Sequence, residues 1–146
     1  MLRGNSPAKI DAKGRLKIPQ VFRRFMEDKY GREYFVTSIN GESARIYPMP
    51  VWTEVEQKLS AAPSLHPAIV RFRNLVNYYG LPAAADEQGR LLIHPLLRAK
   101  SGLDGAVAVL GNMNCLDVWS RERFEAKLTQ EPLADDHWQM LAGLGL

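Results

Sequence analysis

Positively charged side chains are concentrated at the amino-terminal end of the chain, where they surround a short glycine-containing turn. The 146-residue chain has a formal net charge of only +3, yet residues 1–24 contain seven cationic side chains and a single acid, Asp11. A local cluster on a nearly neutral protein indicates an anionic partner that binds at one place. The cationic residues are Arg3, Lys9, Lys13, Arg15, Lys17, Arg23 and Arg24.

The turn inside this cluster occurs a second time at an offset of 75 residues. Asp11, Gly14 and Arg15 recur as Asp86, Gly89 and Arg90, and the following apolar residues recur as well. An internal repeat of this kind predicts two copies of one structural unit. The other matched pairs are Leu16 with Leu91, Ile18 with Ile93, and Arg23 with Arg98.

The repeated Asp and Gly residues are expected to have a structural role. A carboxylate at the start of a turn accepts hydrogen bonds from nearby backbone amides, and glycine adopts a positive φ without steric cost. We therefore assign Asp11, Gly14, Asp86 and Gly89 to the turns themselves. The arginine four residues after each aspartate could fold back and pair with it.

The two copies differ in the charge of their outward positions. Strand alternation after the turn places Leu16 and Ile18 inside and Arg15 and Lys17 outside. In the second copy Arg90 and Leu92 are the outward residues, so that copy is less basic. The outward positions Lys9, Lys13 and Lys17 correspond to Ala84, Gln88 and Leu92.

Packing does not require this charge difference, whereas binding to nucleic acid does. Lysines neutralise phosphates, guanidinium groups can recognise guanine edges, and a two-stranded ribbon fits the major groove. The alternative is a solvated basic face that only aids solubility. The combination of cluster, glycine turn and ribbon favours nucleic acid.

Each copy is predicted to form strand, turn, strand, short helix, strand, turn, strand. Two copies give about eight strands, which favours a small barrel of the mainly β with α (α+β) class, with helices between and after the repeats. A tight turn is predicted at Asn40-Gly41, and the corresponding turn of the second copy is expected around Gly111-Asn112. The expected divisions are a first repeat at 1–50, connecting helices at 51–80, a second repeat at 81–124 and a helical tail at 125–146.

The sequence provides little support for catalysis or for a cofactor. The three histidines have no neighbouring ligands at metal spacing, and the single Cys115 has no partner for an intrachain disulfide. No phosphate-binding glycine loop or nucleophile elbow is present. We therefore expect no enzyme activity, no metal, no cofactor and no membrane span, in a cytoplasmic setting.

Several segments along nearly the whole chain resemble the bacterial MraZ family. They are Met1–Gly4, Asp11–Pro19, Tyr47-Pro48 with Trp52, Asp86–Pro95, Leu97-Arg98, Ser101–Leu103, Leu110–Asn112 and Val118-Trp119. The resemblance implies two SpoVT-AbrB-like units that form a swapped-hairpin barrel. It also implies a ring-shaped homo-oligomer that acts as a nucleoid-associated transcriptional regulator, with repression as our expectation. Such regulators bind short direct repeats in promoter DNA upstream of their own operon, which carries division and cell-wall genes.

The family motif falls on Asp11 with Arg15 and on Asp86 with Arg90. We assign DNA contact first to Arg15 with Lys13 beside it, and local charge adds Arg3, Lys9 and Lys17. Arg90 is included, but with a smaller expected contribution. The alternative function is an AbrB-like antitoxin or a protein-interaction scaffold that does not bind an operator.

Overall fold

The computed structural model describes residues 1–146 and contains eight strands and six helices. Each repeat shows the predicted succession of strand, turn, strand, helix, strand, turn and strand. The elements are β1 (Asn5–Ile10), β2 (Arg15–Lys17), α1 (Gln20–Tyr30), β3 (Glu33–Thr37), β4 (Ala44–Pro48), α2 (Met49–Ala61), α3 (Pro67–Tyr78), β5 (Leu81–Ala84), β6 (Arg90–Leu92), α4 (Pro95–Ser101), β7 (Gly105–Asn112), β8 (Cys115–Ser120), α5 (Arg121–Gln130) and α6 (Asp135–Gly143).

The strands form one antiparallel sheet in the order β5-β3-β4-β8-β7-β1-β2-β6. The first hairpin, β1–β2, pairs through β1 with β7 of the second repeat, and the β5–β6 hairpin pairs through β5 with β3 of the first repeat. Each repeat therefore lends its hairpin to the other. The two end strands meet at the turn after β5, where the Asp86 amide donates to the Arg90 carbonyl at 3.2 Å. The predicted α+β barrel with swapped hairpins is confirmed.

Strand alternation fills the barrel with the matched apolar residues of both repeats. Leu16, Ile18, Leu91 and Ile93 are buried in one core of 19 residues. A second, smaller apolar cluster lies on the outer face of the sheet. There Phe35 of β3 stacks on Trp52 of α2 with ring centroids 4.5 Å apart. Neither repeat encloses the barrel core alone, since pairs of neighbouring strands around it come in turn from the first and the second repeat.

The turn predicted around Gly111-Asn112 does connect two paired strands, β7 and β8, but it lies two residues later, at Met113 and Asn114. Strand β7 continues through Asn112, which pairs with Cys115, and the chain reverses at Met113, whose φ is 59°. Gly111 is needed within the strand because a β-carbon there would collide with the backbone of Arg3. A tertiary contact, rather than local turn chemistry, therefore accounts for this glycine.

The Asn40-Gly41 pair does lie between two paired strands, but in a loop longer than a tight hairpin. Residues 38–43 connect β3 to β4. The Asn40 side-chain oxygen accepts hydrogen bonds from the amides of Glu42 at 2.8 Å and Ser43 at 3.0 Å. Asparagine thus stabilises this loop by side-chain hydrogen bonds to its backbone.

The two repeated turns have the same internal hydrogen bonds. The Asp11 carboxylate accepts from the amides of Lys13 and Arg15, each at 2.9 Å. Asp86 accepts from the amides of Gln88 and Arg90, also at 2.9 Å each. The glycines inside these turns, Gly14 and Gly89, have φ values of +79° and +78°.

The turns are also joined to each other across the two repeats. The Ile18 amide donates to the Gly89 carbonyl at 2.9 Å, and the Ile93 amide donates to the Gly14 carbonyl at 3.1 Å. This exchange gives the region a local two-fold symmetry.

An arginine of the opposite repeat covers each glycine. The guanidinium of Arg98 lies over Gly14, and that of Arg23 lies over Gly89. Arg98 donates through Nε to the Ile93 carbonyl at 3.1 Å, and Arg23 donates to the Glu87 carbonyl at 2.7 Å. The packing of each arginine on the opposite glycine and the bond from Arg23 to Glu87 join the two repeats, whereas the bond from Arg98 to Ile93 holds the Arg98 side chain within its own repeat.

Replacement of Gly14 by alanine should destabilise the fold more than replacement of Gly105. Both glycines have a positive φ, which costs alanine about 1–2 kcal/mol. Only at Gly14 would the added carbon displace an arginine, Arg98, whose hydrogen bond contributes a further ~0.5–1.5 kcal/mol. Urea unfolding of the two variants measures this difference.

The double variant Gly14→Ala/Arg98→Ala serves as the control. In this variant Gly14→Ala has no arginine to displace. The double variant's loss of unfolding free energy should therefore be smaller than the sum of the losses measured for the two single variants. Full additivity in the unfolding free energies would contradict the role of the arginine cover.

Candidate nucleic-acid interface

Pairing of β2 with β6 brings outward residues of both repeats onto one surface. The register pairs Arg15 with Leu92, Leu16 with Leu91, and Lys17 with Arg90. The central leucines are fully buried, so alternation directs the flanking residues outward. We call the surface formed by Arg15, Lys17, Arg90 and Leu92 the β2–β6 face.

The two arginines of this face are held by their own turns to different degrees. Arg15 donates through Nε to the Asp11 carboxylate at 2.9 Å, whereas the Nε of Arg90 lies 3.9 Å from the Asp86 carboxylate. Their side chains are 28% and 30% exposed. The terminal guanidinium nitrogens make no hydrogen bonds within the chain, so they are free to bind a ligand.

Both turn aspartates are stabilised as anions. The hydrogen bond from the backbone amide of Arg15, together with the Arg15 side chain and the Lys13 amide, lowers the pKa of Asp11 below its ordinary value. The Arg90 amide likewise lowers the pKa of Asp86, and the nearby charge of Arg15 adds to this effect. The ionised carboxylates orient the arginines through Nε, but they also offset part of the positive charge.

Two further lysines extend the positive surface beyond the strand pair. Lys9 and Lys17 line one shallow groove beside the start of α1, and Lys13 is exposed in the turn between β1 and β2. With Arg15 and Arg90 these give five cations against three acids of the two turns, Asp11, Asp86 and Glu87. The structure therefore brings together five of the six predicted DNA-contacting residues on a positively charged surface.

Arg3 lies apart from this surface. It is near the opposite end of β1 from Lys9, which a strand rise of ~3.3 Å per residue places about 20 Å away. Its neighbour Leu2 donates its amide to the Met113 carbonyl at 2.7 Å, beside the β7–β8 turn. A role for Arg3 in DNA contact stays a prediction.

Arg23 was counted with the basic cluster, but its guanidinium makes contacts within the protein and is not part of the β2–β6 face. Its Nε lies 2.9 Å from the Glu27 carboxylate, and the side chain covers Gly89. Counting charges along the sequence missed this role of Arg23 and the matching role of Arg98. The repeat itself held the signal, since these two arginines recur at the same offset as the glycines that they cover.

Other kinds of site find little support in the structure. No group of three His, Cys, Asp or Glu side chains lies close enough together to hold a metal ion. Cys115 is buried, and burial raises the pKa of its thiol to about 11, which disfavours the nucleophilic thiolate. None of the helices has the length and apolar character to cross a membrane.

Comparisons with known proteins find relatives that match this sequence along its full length. A family model described as "MraZ protein, putative antitoxin-like" matches residues 1–74 and 83–141. The chain is 41% identical over 146 residues to the transcriptional regulator MraZ of Acidobacterium capsulatum and 42% identical over 147 residues to that of Koribacter versatilis. It is 35% identical over 152 residues to that of Coxiella burnetii, and all three alignments cover both chains completely. The chain therefore belongs to the MraZ family.

Proposed function

We propose that this chain is a sequence-specific DNA-binding regulator that represses transcription of its own operon of division and cell-wall genes. The observation that supports this most is the β2–β6 pairing, which collects Arg15, Lys17 and Arg90 on one exposed face. The names of the full-length relatives support regulation of transcription. The protein would act in the cytoplasm at the nucleoid, without a cofactor or catalysis.

The β2–β6 face has a form that suits the major groove. An antiparallel pair of strands fits this groove, where arginine can bind guanine O6 and N7 in a bidentate manner. Arg15 would supply this contact, because Asp11 orients its guanidinium through Nε and leaves the terminal nitrogens free. Lys9, Lys13 and Lys17 would neutralise phosphates on either side.

A ring-shaped homo-oligomer would allow several such faces to bind several short direct repeats. One face makes few contacts, but linked faces raise the overall affinity by roughly 10²–10⁴-fold. The carboxy-terminal helices offer a surface for assembly, because no side chain of α5 or α6 is fully buried within the chain. The large apolar residues exposed there are Leu128, Leu133, Trp138, Met140, Leu144 and Leu146.

Arg15→Ala should weaken binding to the DNA upstream of the protein's own gene by about 10–100-fold, since it removes a direct base contact. Fluorescence anisotropy at two salt concentrations measures the loss. Arg24→Ala is the matched control, because it removes the same charge from a side chain that is 90% exposed on α1. Equal affinities of folded Arg15→Ala and wild type would remove the main assignment and favour the antitoxin or scaffold alternative.

Arg90→Ala should also weaken binding, by an amount within a few-fold of the Arg15→Ala loss. The sequence alone suggested a smaller contribution, but Arg90 lies directly opposite Lys17 with an exposure close to that of Arg15. The same titration tests this expectation. If the Arg90→Ala protein binds as the wild type does, Arg90 only stabilises its own turn.

Replacement of Trp138 and Met140 by glutamate should reduce the size of the oligomer while the barrel stays folded. Both side chains are more than half exposed in the single chain, so charges there would disrupt an interface without entering the core. Sedimentation velocity measures the size, and circular dichroism checks the fold. Leu65→Glu, at a residue that is 89% exposed before α3, is the control. An unchanged sedimentation coefficient would place the subunit interface elsewhere.

A further inference from the structure

The local symmetry of the β2–β6 face is broken at one position. Arg15 and Arg90 are equivalent residues of the two repeats and occupy one diagonal of the face. The other diagonal is occupied by Lys17 and its equivalent Leu92. Three corners of the face are therefore cationic and the fourth is apolar.

Leu92 is unusual among the exposed apolar residues of the chain. Its exposed fraction is 42%, and it is the only large exposed hydrophobic residue that lies on a β-strand. The others lie on helices, in loops or near the termini. Exposure of one leucine needs no explanation by itself. Its place directly opposite Arg15, on the surface proposed to meet DNA, gives it a specific chemical setting.

We propose that Leu92 contacts the 5-methyl group of a thymine next to the base pair bound by Arg15, and so contributes to sequence specificity. This inference rests on the proposed DNA-binding function. In the major groove the thymine methyl is an apolar group, and apolar side chains recognise it by contact. A lysine at this corner, as in the first repeat, would bind phosphate on any sequence.

The spacing of the face is compatible with contacts to neighbouring base pairs. Directly opposed residues of an antiparallel pair have β-carbons about 4.5–5.5 Å apart. Successive base pairs are about 3.4 Å apart along each strand. Arg15 and Leu92 can therefore reach adjacent or next-adjacent base pairs at the same time.

The test removes the methyl group without changing base pairing. A fluorescent duplex from the DNA upstream of the protein's own gene is compared with the same duplex in which deoxyuridine replaces thymidine. Wild-type affinity should fall about 3–5-fold for a contacted methyl, from the transfer free energy of one buried carbon group. Single replacements then locate the thymine beside the guanine that Arg15 binds.

Three variants make the comparison specific to Leu92. Leu92→Ala should bind the natural duplex more weakly and should lose most of the difference between the two duplexes. Leu92→Met keeps an apolar contact and should retain the difference. Leu96→Ala is the matched control, since Leu96 is 43% exposed on the neighbouring helix α4, and it should behave as the wild type.

The possible outcomes separate this inference from the proposed function. If wild type binds the duplex but Leu92→Ala keeps the full sensitivity to the methyl group, the inference is overturned and the proposed function stands. If Leu92→Ala changes the sedimentation coefficient, the leucine is a subunit contact and the inference is also overturned. If wild type does not bind the duplex at all, both the proposed function and this inference are overturned.

Discussion

The pairing of β2 with β6 is the constraint on which both the barrel and its candidate DNA surface depend. Each strand has only three residues, and the pair is extended by the reciprocal hydrogen bonds between Ile18 and Gly89 and between Ile93 and Gly14. Because Leu16 and Leu91 must enter the core, the flanking residues must point outward. The pairing that joins β6 to β2 therefore also places arginines of both repeats on the same outer face.

The sequence predicted the elements well, because periodicity and the internal repeat report directly on which side chains are buried. The family resemblance implied swapped hairpins, but no pattern in the residues predicted that β2 would pair with β6, since a strand of three residues contains no signal for its partner. This is why charge counting ranked Arg90 below Arg15. Counting along the chain separates the two arginines by 75 residues, whereas the pairing register places Arg90 opposite Lys17.

The remaining differences have the same origin in contacts between distant segments. Gly111 looked like a turn residue, but its role is to let the backbone of Arg3 pass close to β7. Arg23 looked like part of a binding cluster, but it covers a glycine of the other repeat and pairs with Glu27. In each case the residue type was compatible with two roles, and only the position of a segment remote in sequence decided between them.

Duplication explains the symmetric interior, and divergence of the outer residues gives the surface a direction. A face with full two-fold symmetry would bind a DNA site equally well in either orientation. Such a face suits palindromic sites, which have the same two-fold symmetry. Direct repeats all have the same orientation, so a protein that binds them needs a contact surface with two distinguishable ends. Here the pairs Lys17 with Leu92, Lys13 with Gln88 and Lys9 with Ala84 differ in charge while the buried leucines match. Loss of symmetry on the outside of a symmetric barrel is thus the property that the proposed recognition of direct repeats demands.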